Sequence, residues 1–172
     1  MIDAFLEWWL KSGRYGWSKL RRRVFEQKYL KTKLPDAHSL GDVGNCLKQI
    51  TWIQDNAFFL FDCVSYPERT WATKKDDCDG FASVAAALIN SWNPALKPVM
   101  VTAIVRPLSN AHTVCAFHHE GSIRFFNNEN LDGDKFNSYE EVIKKFLATG
   151  DKLVCWDVRE PKTFARIEFH RV

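Results

Sequence analysis

Three residues whose types can cooperate in nucleophilic catalysis occur in the order cysteine, histidine, asparagine: Cys78, His112 and Asn127. Catalysis by cysteine needs a thiolate, a base that takes the thiol proton and later protonates the leaving group, and a third group that orients the base. A thiol, an imidazole and an amide carbonyl fill these roles. The residue types and their order therefore predict a thiol enzyme, with Cys78 as nucleophile, His112 as base and Asn127 as the orienting residue.

Cys78 is predicted to lie in the first turn of a helix. From Phe81 onward, apolar residues recur at the spacing of a helix stripe that faces a core, namely Val84, Ala85, Leu88, Ile89 and Trp92. Pro94 ends the pattern, because proline disfavours the helical region for the residue before it. A cysteine in a first turn lies near unpaired N–H groups and the positive end of the helix dipole, which favour the thiolate.

Three aspartates flank Cys78 in the sequence: Asp76, Asp77 and Asp79. Their charges raise the pKa of a thiol if they stay close and unscreened. We expect one of the first two to cap the helix. Asp79 is expected to point to solvent or to a basic loop residue, Lys74 or Lys75. Gly80 is expected to leave room for the backbone of a substrate.

The segments after this helix predict a sheet. Predicted strands cover 98–105, 113–117, 123–126, 152–158 and 165–171, with a short helix over 139–147. The turn-forming segment 118–122 predicts an antiparallel hairpin, which brings His112 beside Asn127 although 127 − 112 = 15 residues separate them. Helices followed by sequential strands indicate an α+β fold, in which the helix of Cys78 packs on an antiparallel sheet.

The third member of the site has competitors. Asn128 and Asn130 lie close to Asn127 in the sequence, and Asp132 is a further candidate. They stay open because strand boundaries that are read from a sequence err by a few residues.

Residues 1–33 are predicted to form a basic, aromatic and helical amino-terminal arm, with two short helices broken near Ser12-Gly13. Residues 34–172 are predicted to hold the catalytic part of one compact domain. From Lys11 to Lys33 there are nine basic residues and one acid, a local charge of 9 − 1 = +8 in a chain of net charge +3. The arm is therefore predicted either to contact an anionic partner, such as nucleic acid or an acidic surface, or to present a solvated helix face.

Between the arm and Cys78, apolar periodicity predicts a helix over residues 46–59, followed by a polar loop over 66–75. The periodic residues are Cys46, Leu47, Ile50, Ile53 and Gln54.

Composition describes a folded protein, because 46% of the 172 residues are hydrophobic and 26% are charged. No apolar run approaches the roughly 20 residues that a bilayer crossing needs, and the first ten residues lack the basic start of a signal peptide. The five cysteines are an odd number without a CxxC pair, which argues against a disulfide framework and against structural zinc. We therefore expect a cytoplasmic protein without a metal or another cofactor.

The chain resembles the transglutaminase-like superfamily of papain-like cysteine enzymes, in particular the bacterial transglutaminase-like cysteine peptidases. Three blocks carry the resemblance: residues 71–82 with Asp77-Cys78-Asp79-Gly80-Phe81-Ala82, then His112-Thr113-Val114, then Phe125-Phe126-Asn127. The resemblance covers about residues 46–131 and implies a papain-like core with Cys78, His112 and Asn127 as the catalytic triad. Asn127 stands where the family usually has aspartate, and Gly80 stands where it has a second acid.

The resemblance also implies a reaction class. It is a hydrolase or acyltransferase that acts on an amide or peptide bond of a peptide or protein substrate through an acyl-enzyme on Cys78. In the family an upstream side chain helps to bind the oxyanion, and Trp71, Trp52 and Gln54 are candidates for this role. The alternative is a non-catalytic binding or adaptor domain of the same fold, in which the basic amino-terminal arm makes the main contact.

Overall fold

The computed structural model describes residues 2–54 and 63–172. Its helices are α1 (Ile2–Trp8), α2 (Arg14–Phe25), α3 (Leu40–Leu47), α4 (Pro67–Thr73), α5 (Cys78–Trp92) and α6 (Tyr139–Phe146). Its strands are β1 (Thr51–Trp52), β2 (Lys75–Asp76), β3 (Val99–Arg106), β4 (His112–His119), β5 (Ser122–Asn127), β6 (Asn130–Leu131), β7 (Lys152–Arg159) and β8 (Arg166–Arg171).

A six-stranded antiparallel sheet forms the centre of the fold, in the order β6-β5-β4-β3-β7-β8. The predicted hairpin is confirmed, because β4 and β5 pair antiparallel with Cys115 opposite Phe126. Side chains alternate between the two sides of a strand. On β3, Met100 and Ile104 join an apolar cluster with α5, whereas Val101 joins a second cluster with α6. The sheet is thus covered on both faces, and the predicted mixture of helices with an antiparallel sheet is confirmed.

Helix α5 begins and ends where the sequence predicts, at Cys78 and Trp92. The Asp77 side chain caps it by accepting a hydrogen bond from the backbone N–H of Asp79 at 3.1 Å. Ten of its residues are buried, including Phe81, so the helix is surrounded by the core along most of its length. Packing against the sheet therefore fixes the position of its first turn.

The arm differs from the prediction of two helices broken near Ser12-Gly13. Helices α1 and α2 are joined without a break by a π-helical turn over Trp9–Gly13. Leu6, Leu10 and Tyr15 of this helical run lie in the same apolar cluster as α5. The division of the chain at residue 33 stays a prediction.

Arg159 of β7 fastens the arm to the sheet. Its Nη2 donates to the carbonyl oxygens of Leu10 at 3.0 Å and Lys11 at 2.9 Å, and its Nε bonds to Asp157 at 2.6 Å. The guanidinium also lies over the Tyr15 ring at 3.9 Å from the ring centroid. The wider π turn allows carbonyl groups of the helix to bond to a side chain from outside it.

The prediction of a helix over residues 46–59 is wrong where the structure describes them. Helix α3 ends at Leu47, and the chain turns into the short strand β1, which pairs parallel with β2. The backbone N–H of Thr51 bonds to the Lys74 carbonyl at 2.8 Å, and that of Ile53 bonds to the Asp76 carbonyl at 2.9 Å. These bonds replace those of a continued helix. Residues 55–59 lie outside the described residues. The prediction of a loop over 66–75 is also wrong, because Pro67–Thr73 form helix α4, with Pro67 in its first turn.

Within residues 2–54 and 63–172, none of the helices combines the length and the apolar character that a bilayer crossing requires.

Leu10→Ala tests whether the arm belongs to the core. Leu10 is fully buried, so we expect its truncation to lower the free energy of unfolding by about 2–5 kcal/mol. Leu20→Ala is the matched control. Because Leu20 of the same helical run is 47% exposed, we expect a change within about 0.5 kcal/mol. Urea unfolding of the full chain measures both, and equal effects of the two substitutions would contradict the arrangement.

Candidate functional site

Cys78 is the first residue of α5 and is half-buried at the wall of a cavity of about 380 Å³. His112 and Asn128 line the same cavity. Thr113, the residue after His112, also lines it, and its backbone N–H lowers the pKa of the Cys78 thiol. The first turn of α5 and the start of β4 therefore meet at this cavity.

His112 and Asn127 are joined by a hydrogen bond between His112 Nε2 and Asn127 Oδ1 of 2.8 Å. They lie at the start of β4 and the end of β5, so the hairpin register brings them together. An amide oxygen only accepts hydrogen bonds, so Nε2 must donate. In a neutral imidazole the remaining nitrogen, Nδ1, then carries the lone pair that accepts a proton. The ring is also held by an edge contact with Phe146, at 5.4 Å between centroids.

The competitors for the orienting role are Asn128, Asn130 and Asp132. Asn130 donates to Glu129, and the Asp132 carboxylate accepts the backbone N–H of Asp134 at 2.8 Å. Asn128 is in a left-handed backbone conformation with φ 51° and lines the cavity. Of the four candidates, Asn127 has the hydrogen bond to His112.

The pKa values of the thiol and the imidazole are shifted in opposite directions. Burial raises the pKa of the Cys78 thiol well above its ordinary value, and the charges of Asp77 and Asp79 add to this shift. Arg14 and the Thr113 N–H act against it. Burial lowers the pKa of His112, and its hydrogen bond to Asn127 opposes this by a smaller amount. Both shifts favour a neutral thiol beside a neutral imidazole.

The prediction that Asp79 points to solvent or to Lys74 or Lys75 is wrong. Asp79 is fully buried and its Oδ2 accepts a hydrogen bond from Arg14 Nη2 at 2.7 Å. Its Oδ1 accepts the backbone N–H of Ser65 at 3.2 Å. Arg14 is itself buried and lies 65 residues away in the sequence. A buried carboxylate needs such a partner, because an unpaired charge is costly to remove from water.

Asp76 is likewise held by structural contacts. Its Oδ2 accepts from Thr70 Oγ1 at 2.6 Å and from Arg69 Nη1 at 3.2 Å, and its Oδ1 accepts from Ser65 Oγ at 3.1 Å. Gly80 makes room for this carboxylate and not for the substrate backbone that we expected, because a Cβ on Gly80 would overlap the Asp76 side chain. The side chain of Asp76 thus packs directly against the backbone of α5.

Carboxylate oxygens of Asp76, Asp77 and Asp79 lie within 4.8 Å of one another, a spacing that a cation can bridge. Arg14 and Arg69 already compensate two of these charges at 2.7 and 3.2 Å. The three acids therefore act as anchors for the first turn of α5.

The arm contributes cavity residues that the sequence did not reveal: Leu6, Trp9 and Arg14. No pattern near these residues signals contact with a segment more than 60 residues away. Of the three candidates for an oxyanion donor, Trp52 and Gln54 line the cavity. Trp71 instead packs against the core and carries the Lys74 ammonium over its ring.

We compared the chain with protein families, with curated proteins and with solved structures. No family model and no curated protein matches the chain. The calcium-bound structure of LapG from Legionella pneumophila is similar with a TM-score of 0.46 and 16% identity, over 68% of this chain and 62% of that one. The EGTA-treated structure of the same protein gives 0.46 and 16%, over 77% and 69%. The chain thus spans less than two thirds of the calcium-bound protein, and at these values the similarity supports no inference about the site.

Gly80→Ala tests the contact between Asp76 and α5. The added methyl group would overlap the buried Asp76 side chain, so we expect a loss of about 1–3 kcal/mol of unfolding free energy. Gly16→Ala is the control, since it adds a methyl group to helix α2 with no atom within 4 Å. We expect that change to be neutral or to stabilise by up to about 1 kcal/mol. Thermal unfolding of both variants compares them, and a tolerated Gly80→Ala would refute the close approach.

Proposed function

We propose that the protein is a thiol-dependent hydrolase or acyltransferase with a papain-like, transglutaminase-like core. It acts on an amide or peptide bond through an acyl-enzyme on Cys78, with His112 as base and Asn127 as the residue that orients the base. The observation that carries the proposal is the 2.8 Å hydrogen bond between His112 Nε2 and Asn127 Oδ1 at the cavity of Cys78. It fixes the imidazole tautomer that leaves Nδ1 as a proton acceptor.

The proposed reaction begins with the transfer of the thiol proton from Cys78 to His112 Nδ1. The thiolate adds to the carbonyl carbon of the substrate, and negative charge develops on the carbonyl oxygen. The backbone N–H of Cys78, at the start of a helix, and the amide group of Gln54 are the proposed donors for that oxygen. The C–N bond then breaks, the amine takes the proton from His112, and a thioester on Cys78 remains.

A second nucleophile completes the reaction. Water, activated by His112, releases a carboxylic acid, whereas an amine gives a new amide. Leu6, Trp9, Ile104 and Leu108 form an apolar wall in the cavity, which favours substrates with an apolar group near the scissile bond. Within the proposal, the substrate is a segment of a peptide or protein that carries such a group.

The shifted pKa values support a general-base route rather than a preformed ion pair. A thiol with a raised pKa and an imidazole with a lowered pKa stay neutral together at neutral pH. His112 then removes the proton as Cys78 attacks, a step that typically contributes about 10²–10⁴-fold to a rate.

A non-catalytic binding domain is the second candidate function. The observation that favours it is the pair of buried acids beside the thiol, Asp77 and Asp79. Together with burial they raise the pKa of Cys78, whereas a catalytic cysteine usually has a lowered pKa. The two proposals make opposite predictions about acylation of Cys78.

Incubation with p-nitrophenyl esters and with activated peptide esters tests the acyl-enzyme. We expect intact-protein mass spectrometry to show one acyl group, and peptide mapping to assign it to Cys78. Cys78→Ala should abolish the adduct, and His112→Ala should slow its formation by about 10²–10⁴-fold. Cys46→Ala, a substitution of a buried cysteine of α3, is the control and should acylate normally. Acylation that persists in Cys78→Ala, or that never occurs, would favour the binding domain.

The pH dependence of acylation tests the role of Asn127. Because the pKa of His112 is lowered, the rate should stay constant down to a pH below the ordinary imidazole value of about 6.5 and fall only as the base becomes protonated. Asn127→Asp adds a negative charge beside the ring, which favours the imidazolium and should move this fall to higher pH. Asn130→Asp adds the same charge at an exposed position and should leave the profile unchanged. Identical profiles for all three proteins would show that Asn127 does not act on the base.

A further inference from the structure

Exposed apolar side chains are concentrated on the arm. Of the twelve large apolar residues that are exposed in the described chain, eight lie between Ile2 and Leu30. They are Ile2, Phe5, Trp8, Trp17, Leu20, Val24, Phe25 and Leu30. On most soluble proteins the exposed large apolar residues are scattered singly over the surface. A concentration of them in one segment therefore indicates a surface that contacts another molecule.

On α2 three of these residues form a stripe. Trp17, Leu20 and Val24 follow the i, i+3, i+7 spacing of one helix face, and each is about half exposed. The opposite face carries Tyr15 and Ser18, which are buried against the body of the protein. The outward face of α2 is therefore apolar although the helix is already fastened to the core by its inward face.

The basic residues of the arm divide into two groups. Four residues form ion pairs within this chain, so their charges are compensated: Lys11 with Glu7, Arg14 with Asp79, Arg21 with Glu26 and Arg22 with Glu68. A second group is exposed and has no ion pair within the described residues: Lys19, Arg23, Lys28, Lys31 and Lys33.

Lys19 and Arg23 of the second group are four residues apart, so they share one side of α2. Arg23 is also three residues from Leu20 and is therefore its neighbour on the helix surface. Glu26, the nearest acid in the sequence, is buried and bonds to Arg21 and Arg69. The outward face thus joins an apolar stripe to uncompensated positive charge.

The combination of an apolar stripe with positive charge distinguishes between three possible binding partners of this face: a second copy of the chain, nucleic acid and an anionic bilayer. A second copy of the chain on a two-fold axis would set the same basic residues against each other. Nucleic acid would pair with the charges but leave the apolar stripe without a partner. The interface of an anionic bilayer offers an apolar layer beside negative headgroups. Amphipathic helices lie in this interface when they carry aromatic and aliphatic residues on one side and lysine or arginine beside them.

We propose that the outward face of α2 docks on an anionic phospholipid bilayer, with Trp17, Leu20 and Val24 in the interface and Lys19 and Arg23 at the headgroups. The bound state is peripheral, because the inward face of the same helix stays in the core. This proposal does not depend on the reaction at Cys78.

Sedimentation of the full 172-residue chain with lipid vesicles tests the docking. We expect binding to vesicles of phosphatidylcholine with about 30% phosphatidylserine, weak binding to phosphatidylcholine alone, and release at about 0.5 M salt, where surface charges are screened. Lys19→Glu with Arg23→Glu should weaken binding by about 25-fold or more, roughly fivefold for each charge removed. Trp17→Ser with Leu20→Ser and Val24→Ser should abolish it.

Two matched controls separate docking from general charge or stability effects. Lys48→Glu with Lys162→Glu makes the same charge change at exposed positions outside the arm, and Ile167→Ser removes an apolar residue that is 53% exposed on β8. Both should bind like the native chain, and circular dichroism should show that the arm variants stay folded. Failure of the native chain to bind anionic vesicles, equal loss in the controls, or a dimer in solution that the apolar substitutions dissociate would overturn the proposal.

Discussion

The buried ion pair between Arg14 and Asp79 is the interaction on which the rest of the site depends. Both side chains are almost fully buried, so neither charge can be solvated if the other is removed. Breaking such a pair typically costs about 3–5 kcal/mol. Asp79 also accepts the backbone N–H of Ser65, so one carboxylate ties α2 and the segment before α4 to the first turn of α5. The position of Cys78, one residue earlier, follows from these bonds.

This use of acids has an electrostatic consequence for the thiol. Asp77 and Asp79 raise the pKa of Cys78, yet they cannot be removed without loss of the helix cap and of the bond to Arg14. Arg14 opposes their effect, and so does the N–H of Thr113. The structural need for acids near α5 therefore works against a resting thiolate, and a neutral His112 with a fixed tautomer becomes the group that any reaction of Cys78 would require.

Local signals in the sequence predicted the elements that carry the site. The apolar period of α5 and its acidic cap are short-range features, and so is the hairpin that brings His112 to Asn127. Two of the errors concern contacts between distant segments. The continued helix after Leu47 fails because β1 pairs with β2, and the solvated Asp79 fails because its partner lies 65 residues earlier. Hydrophobic periodicity contains no information about which distant charge will pair with a buried one.

The π-helical turn of the arm explains how one helical run can bring Arg14 to Asp79 and also present an apolar outward face on α2. Leu6, Leu10, Arg14 and Ser18 are four residues apart and all buried, whereas positions four apart in an α-helix drift by about 40° at each step. The wider turn at Trp9–Gly13 offsets part of that drift and keeps Arg14 on the side of Asp79. The same turn leaves the Leu10 carbonyl accessible to Arg159, which fixes the rotation of the run. Once the inward face is set in this way, Trp17, Leu20 and Val24 of α2 have to face outward. The contact that positions the first turn of α5 and the apolar surface of the arm are thus two results of one helix register.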